Sequence, residues 1–167
     1  MKNIKFIQIH KENQDLYNAV FPHWINYFDN LHWDQGEKPT QDEIIHDLNR
    51  RINIQGSRPD MHFELFFVDS DLVGFANFAI NTGTYYGLLE AGYGSVMEFY
   101  IIPTFRRKGY GKLLYEHIEK TLKNHGAKKI YLTTDAVNGE AFWFAMGYHD
   151  SGIIDPDNGL SIYIKDI

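Results

Sequence analysis

The sequence predicts a mixed α+β fold, a sheet covered by helices and built as one domain. Three observations predict it. Short apolar runs with strand periodicity are interleaved with amphipathic stretches of helical period. Two of these runs, 63–68 and 72–80, are separated only by Asp69-Ser70-Asp71, which reads as a hairpin and makes part of the sheet antiparallel. A further run, Val96-Met97-Glu98-Phe99-Tyr100-Ile101-Ile102-Pro103, leads through Arg106-Arg107-Lys108-Gly109-Tyr110-Gly111 into a long amphipathic helix.

Ile4 to Ile9 alternates apolar and polar residues and reads as the first strand. Glu12 to Phe28 has helical character but is expected to break at Pro22, which cannot donate to the preceding turn. Thr40-Gln41-Asp42-Glu43 is a capping-box pattern, and Ile44, Ile45, Leu48 and Ile52 follow at helical spacing, predicting a helix over about 41–53. After the hairpin, 83–94 is a loop with Tyr85, Tyr86 and Tyr93 among glycines. The strand and helix around the glycine pair come next, the helix ending near His125-Gly126, where glycine suits a left-handed cap. Lys129 to Thr134 reads as a strand, Gly139 to Met146 as a short helix stopped by Gly147, and 148–154 and 160–165 as two strands joined by Asp155-Pro156-Asp157-Asn158-Gly159. The order is βααββ followed by βαβαββ, without repeats or linkers, so residues 1–167 form a single domain.

At 167 residues the chain can bury about 70% of the surface its unfolded form exposes. Its net charge is −6, and its basic residues are scattered apart from the triplet at 106–108, which argues against a nucleic-acid partner. No cysteine is present, excluding a disulfide framework, a thiolate nucleophile and a cysteine-liganded zinc site. None of the eight histidines forms a tight ligand pair, so no metal is expected. Gly92-Tyr93-Gly94-Ser95 lacks the following glycine and the helix of a nucleophile elbow. No signal-peptide-like stretch and no membrane-length apolar run occur, so a soluble, cytoplasmic protein without a membrane partner is expected.

The glycine segment carries the chemistry. Leu113, Leu114, Ile118, Thr121 and Leu122 line one helix face, with Lys112, Glu116, Glu119, Lys120 and Lys123 on the other. The first-turn N–H groups of that helix have no intrahelical partner and lie at the positive end of its dipole, which favours an anion. Gly109 and Gly111 allow a phosphate to approach the backbone closely, and Arg106, Arg107 and Lys108 add positive charge. The plainer alternative is an ordinary strand-to-helix turn with a basic rim.

Ile101-Ile102-Pro103 followed by Arg106-Arg107-Lys108-Gly109-Tyr110-Gly111 resembles the acetyl-CoA motif of the GNAT superfamily of N-acetyltransferases, Arg/Gln-x-x-Gly-x-Gly/Ala after a strand and before a helix of this length. The element order resembles that fold throughout. The resemblance implies an α/β/α arrangement: a mixed, mostly antiparallel sheet of about 6–7 strands flanked by about 4 helices, with a splay between the motif strand and the next. It implies transfer of an acetyl group from acetyl-CoA to a primary amine, by direct attack through a tetrahedral intermediate. The motif strand would present backbone at Phe99, Tyr100, Ile101 and Ile102 to the pantetheine arm, and residues 106–112, through Lys112, would hold the pyrophosphate. A main-chain N–H near Tyr100 or Ile101, with Tyr100 the first choice, would serve as oxyanion donor.

Such a reaction needs a proton acceptor, because freeing the lone pair of an alkyl amine at neutral pH costs roughly 4–5 kcal/mol. Glu98 is the candidate base: it is a charge within an apolar strand, on the same alternating face as Val96, Tyr100 and Ile102. The alternative is that Glu98 pairs with a basic side chain or borders solvent. The family's usual cofactor-contacting Asn corresponds to Asn138, although the stretch from Asn138 to Gly147 is shorter than in the family pattern. The slot of its acid tyrosine holds Trp143, whose indole cannot protonate a thiolate. Tyr110, Tyr148 or water remain, or no acid at all.

The first helices and the 83–94 loop would wall the acceptor side. Trp24, Tyr27, Phe28, Trp33, Tyr85, Tyr86 and Tyr93 with Asp29, Asp34, Glu37 and Glu90 could attract a cationic amine, or simply form a solvated acidic surface over an aromatic core. Small-molecule amines and peptide amines are not distinguished, and a homodimer is left open. A non-catalytic acyl-CoA-binding module is the alternative function. A nucleotide-binding regulator would need a Gly-x-Gly-x-x-Gly or Walker pattern, which the sequence lacks.

Overall fold

The structure, a computed structural model, describes residues 2–31, 38–58, 60–81, 91–134, 137 and 139–167. Its strands are β1 (Ile4–Gln8), β2 (Met61–Val68), β3 (Asp71–Ile80), β4 (Gly94–Ile101), β5 (Lys129–Thr133), β6 (His149–Ile154) and β7 (Ser161–Asp166). Its helices are α1 (Gln14–Asn30), α2 (Gln41–Ser57), α3 (Tyr110–Asn124) and α4 (Glu140–Ala145). Among the described residues, one sheet holds seven strands in the order β1-β2-β3-β4-β5-β7-β6, and of its neighbouring pairs only β4 and β5 run parallel.

Alternation sorts the apolar side chains onto two faces. Phe63, Leu65, Phe75, Tyr100 and Ile102 pack under Val20 and Trp24 of α1 and Ile44, Leu48 and Ile52 of α2. Phe66, Val73, Phe78, Val96 and Ile101 pack under Leu114, Ile118 and Leu122 of α3 and Trp143 of α4. The expected α/β/α layering is present.

Helix α1 runs unbroken through Pro22, against the expected break. The ring removes one backbone hydrogen bond and strains one turn, at a cost of about 3 kcal/mol. Burial of Val20 and Trp24 on either side offsets it, and the Trp24 indole N–H donates to the Ile44 carbonyl of α2 at 2.9 Å. The capping box of α2 forms as expected: the Glu43 N–H donates to Thr40 Oγ1 at 3.3 Å, and the Thr40 N–H donates to Glu43 Oε2 at 2.8 Å. Among the described residues, no helix is long and apolar enough to cross a membrane, and no group of three ligating side chains could hold a metal ion.

Candidate active site

Strand β4 is fully laddered on one edge and largely open on the other. It meets β5 only at Gly94↔Ile130 and Ser95↔Tyr131, and beyond Ser95 the two strands part. On its other edge it pairs with β3, with a register shift: Val96 faces Phe78 but Glu98 faces Asn77, so Met97 is the extra residue of a bulge. The Ile102 N–H donates to the Val73 carbonyl at 2.9 Å, and period-two geometry therefore turns the N–H of Tyr100 toward β3 as well. The N–H groups of Phe99 and Ile101 face the edge that β5 has left.

That open edge runs directly into the glycine segment. A short 3₁₀ turn, Pro103–Phe105, ends β4; Arg107 (φ 60°) and Gly109 (φ 83°) then alternate left-handed geometry with the right-handed start of α3. Among the described residues, the N–H groups from Arg107 to Lys112 have no hydrogen-bond acceptor, so they form a concave set of donors at the positive end of the helix. The two glycines serve different ends. Gly109 supplies the backbone conformation, with nothing within 4 Å of where its Cβ would lie. Gly111 supplies space, since a Cβ there would stand 3.2 Å from the Phe142 ring and would crowd α3 against α4.

The basic triplet divides its work. Arg106 folds back: its Nε donates to the Ile101 carbonyl at 2.8 Å and its guanidinium lies 5.4 Å from the Tyr100 ring centre. It braces the end of β4 rather than standing free over the donor cradle. Lys108 donates to the Thr104 carbonyl at 2.9 Å, and Lys112 lies 3.8 Å from Glu116. Arg107 makes no side-chain hydrogen bond or ion pair among the described residues.

The bulge also decides where Glu98 points. Val96 packs on the α3 face, whereas Tyr100 and Ile102 pack on the face covered by α1 and α2. Glu98 goes with the latter pair, so the expected common face with Val96 is corrected: Met97 shifts the alternation by one residue. On that face Arg51 of α2 donates from Nη2 to Glu98 Oε1 at 2.6 Å. Glu98 Oε2 and both amide atoms of the fully buried Asn77, directly opposite, have no hydrogen-bond partner among the described residues. Burial raises the Glu98 carboxyl above its ordinary value; Arg51 opposes this, nearby Asp47 adds to it, and the Asn77 amide and Arg50 oppose it more weakly. A carboxyl raised by burial, with one oxygen lacking a hydrogen bond, is a candidate proton acceptor.

Neither Arg51 nor Asn77 was singled out from the sequence. Asn77 carried a usable signal, a polar residue inside the apolar run Phe75-Ala76-Asn77-Phe78, while nothing local marked Arg51.

The remaining candidates separate cleanly. Trp143 is buried among Phe99, Phe142, Tyr115 and Tyr148, with ring centres 4.9–5.7 Å away, so it is a core residue. Tyr148 is buried in the same cluster and its hydroxyl pKa is raised by that burial. The Tyr110 hydroxyl accepts from Lys2 Nζ at 2.7 Å. Trp24 is core, Tyr27 and Phe28 pack against it, and Asp29 pairs with Lys38. Asn138, Trp33, Asp34, Glu37, Tyr85, Tyr86 and Glu90 lie outside the described residues.

A strand splayed from its parallel neighbour at a bulge and followed by an anion-accepting helix start defines an acyl-CoA-type transferase fold. Residues 25–148 match the Acetyltransferase (GNAT) family, and the chain belongs to that family, which uses acetyl-CoA as its acyl donor. Solved structures share the fold across nearly the whole chain. An acetyltransferase from Thermus thermophilus is 18% identical, with 99% of this chain and 97% of that one covered and a TM-score of 0.72. A GNAT acetyltransferase from Staphylococcus aureus is 18% identical, with 98% and 99% covered and a TM-score of 0.68. The PaiA N-acetyltransferase of Thermoplasma acidophilum, solved in complex with coenzyme A, is 20% identical, with 99% of each chain covered and a TM-score of 0.65. Among curated proteins, no sequence matches the chain.

Proposed function

We propose that the protein is a cytoplasmic N-acetyltransferase that moves an acetyl group from acetyl-CoA to a primary amine of a small molecule or peptide, by direct attack through a tetrahedral intermediate. The observation that carries this reading is the continuity of the open β4 edge with the unpaired N–H groups at the start of α3. Backbone at Phe99 pairs with the pantetheine arm, while the donors from Arg107 to Lys112 grip the pyrophosphate. The side chains of Tyr100 and Ile102 line the acceptor face, and Arg106 holds the Ile101 carbonyl in place.

The Ile101 N–H replaces Tyr100 as the oxyanion donor, because the Tyr100 N–H is turned toward β3. Glu98 takes the ammonium proton on Oε2, freeing the lone pair that forms the new C–N bond. The C–S bond then breaks, the electron pair leaves on sulfur as thiolate, and the second nitrogen proton passes to that thiolate or to solvent, so no side-chain acid is needed. The burial of Trp143 and Tyr148 supports that last point.

The experiment is a thermal-shift series with CoA and acetyl-CoA, followed by a thiol-release assay over a panel of small and peptide amines. Binding alone raises apparent stability by mass action. Stabilisation with amine-dependent thiol release is expected. No stabilisation by either CoA species defeats the reading; stabilisation without release from any amine assigns a non-catalytic acyl-CoA-binding module.

A further inference from the structure

Helical spacing sets Asp47 and Arg51 one turn apart on the face of α2 that covers β4. Asp47 Oδ2 lies 3.5 Å from Arg51 Nε, and its Oδ1 accepts from Arg50 Nη2 at 2.6 Å. Arg51 then reaches both residues of the β4 bulge: Nη2 donates to Glu98 Oε1 at 2.6 Å, and Nη1 lies 3.9 Å from Met97 Sδ. Arg and Glu side chains are 17% and 8% exposed, so solvent screens this contact poorly.

A guanidinium can grip a carboxylate with two parallel hydrogen bonds, which would occupy both oxygens. Here it takes one oxygen and leaves the other free opposite Asn77. We infer that Arg51 is a positioning residue that fixes the Glu98 side chain through Oε1, leaving Oε2 as the proton-accepting oxygen. This deepens, and rests on, the acetyl-transfer reading above.

Charges of both signs surround Glu98. From α2 it is faced by Arg51, Asp47 and Arg50; from β3 by the neutral amide of Asn77. On β4, Tyr100 shares its face, with Arg106 lying over the Tyr100 ring. Burial drives the carboxyl up, Arg51 drives it down and Asp47 drives it up. Removing Arg51 and removing Asp47 must therefore move Glu98 in opposite directions. A merely structural ion pair would shift the Glu98 midpoint in the same two directions but would leave the acidic limb of kcat/KM in place.

The test is a carboxyl 13C NMR titration of the full chain, with the Glu98 signal assigned by its loss in Glu98→Gln, beside the pH profile of kcat/KM. Arg51→Met should raise the Glu98 midpoint by about one pH unit or more. Arg51→Lys should recover most of that shift, and Asp47→Asn should lower the midpoint. The acidic limb of kcat/KM should follow each change. Should Arg51→Met fail to fold, Asp47→Asn and Arg51→Lys still carry the comparison. A midpoint unmoved in the folded variants overturns the role of Arg51. Midpoints that move while the acidic limb stays fixed overturn Glu98 as the base instead, so the two failures are distinguishable.

Discussion

Two buried glutamates sit on opposite faces of one sheet and are treated oppositely. Glu64 on β2 faces α3, where both of its oxygens are engaged: His62 Nδ1 lies 3.1 Å from Oε1 and His117 Nε2 lies 2.5 Å from Oε2. Each histidine is itself held by stacking, His117 on Phe6 at 3.8 Å and His62 on Phe78 at 4.8 Å. Burial alone would raise the Glu64 carboxyl, but the hydrogen bonds from His117 and His62 outweigh it and hold the pKa at about 2. Glu98 on β4 faces α2, has one oxygen engaged, and stays raised by burial. The contrast is one of completed against incomplete pairing. A carboxylate with both oxygens satisfied serves the fold, while one with an unpaired oxygen and a raised pKa is the one the proposed reaction would use.

The largest test of that contrast is catalytic. Glu98→Gln should lower kcat/KM by about 10²- to 10⁴-fold, the range of a positioned proton acceptor. Glu64→Gln should leave turnover per folded molecule unchanged. Turnover assays on both variants, normalised to folded protein by circular dichroism, decide it: full activity in Glu98→Gln removes that residue from the mechanism.

The next test is stability. Glu64→Gln removes a doubly paired buried carboxylate and should cost about 1–3 kcal/mol at neutral pH, read as a lower urea midpoint. The pH dependence has a definite sign. The folded pKa of Glu64, about 2, lies below its ordinary 4.5, so its contribution is complete above 4.5 and drains away as pH falls toward 2. The parent should show that acid slope and Glu64→Gln should lack it. An identical acid slope in both would take Glu64 out of the pairing argument.

Sequence reading reached these two sites unequally, for physical reasons. The donor cradle was legible because glycine, proline and helical period act within a few residues: the α3 start and the capping box of α2 lie where local rules place them. Pro22 misled because packing of Val20 and Trp24 outweighed a local helix breaker. Glu98 stands out as a charge in an apolar strand, but alternation cannot see the bulge at Met97 and so places its side chain on the wrong face. Arg51 and His117 stay hidden in sequence because each finds its carboxylate across a long stretch of chain, Arg51 on Glu98 and His117 on Glu64. The place of Arg106 in the motif points to the phosphate grip; only the fold shows it turning back onto the Ile101 carbonyl.

The smallest expected effect sharpens the contrast most. The folded pKa of Glu98 is raised, so its favourable contribution is complete below its ordinary value of 4.5 and is lost as pH rises through the folded value. Above its folded pKa the ionised Glu98 therefore carries a desolvation cost that Glu98→Gln would relieve. Against this, the variant exchanges a charge-assisted bond to Arg51 for a neutral one, since the glutamine carbonyl can still accept from Nη2 and Asp47 still stands 3.5 Å from Nε. The two effects oppose, and the net change in urea midpoint should stay within about 1 kcal/mol of the parent, drifting in favour of the variant as pH rises. Urea titrations of Glu98→Gln across neutral and alkaline pH measure it. A destabilisation as large as that of Glu64→Gln would make Glu98 a structural member of the sheet, and the difference between the two carboxylates would then rest on their partners alone.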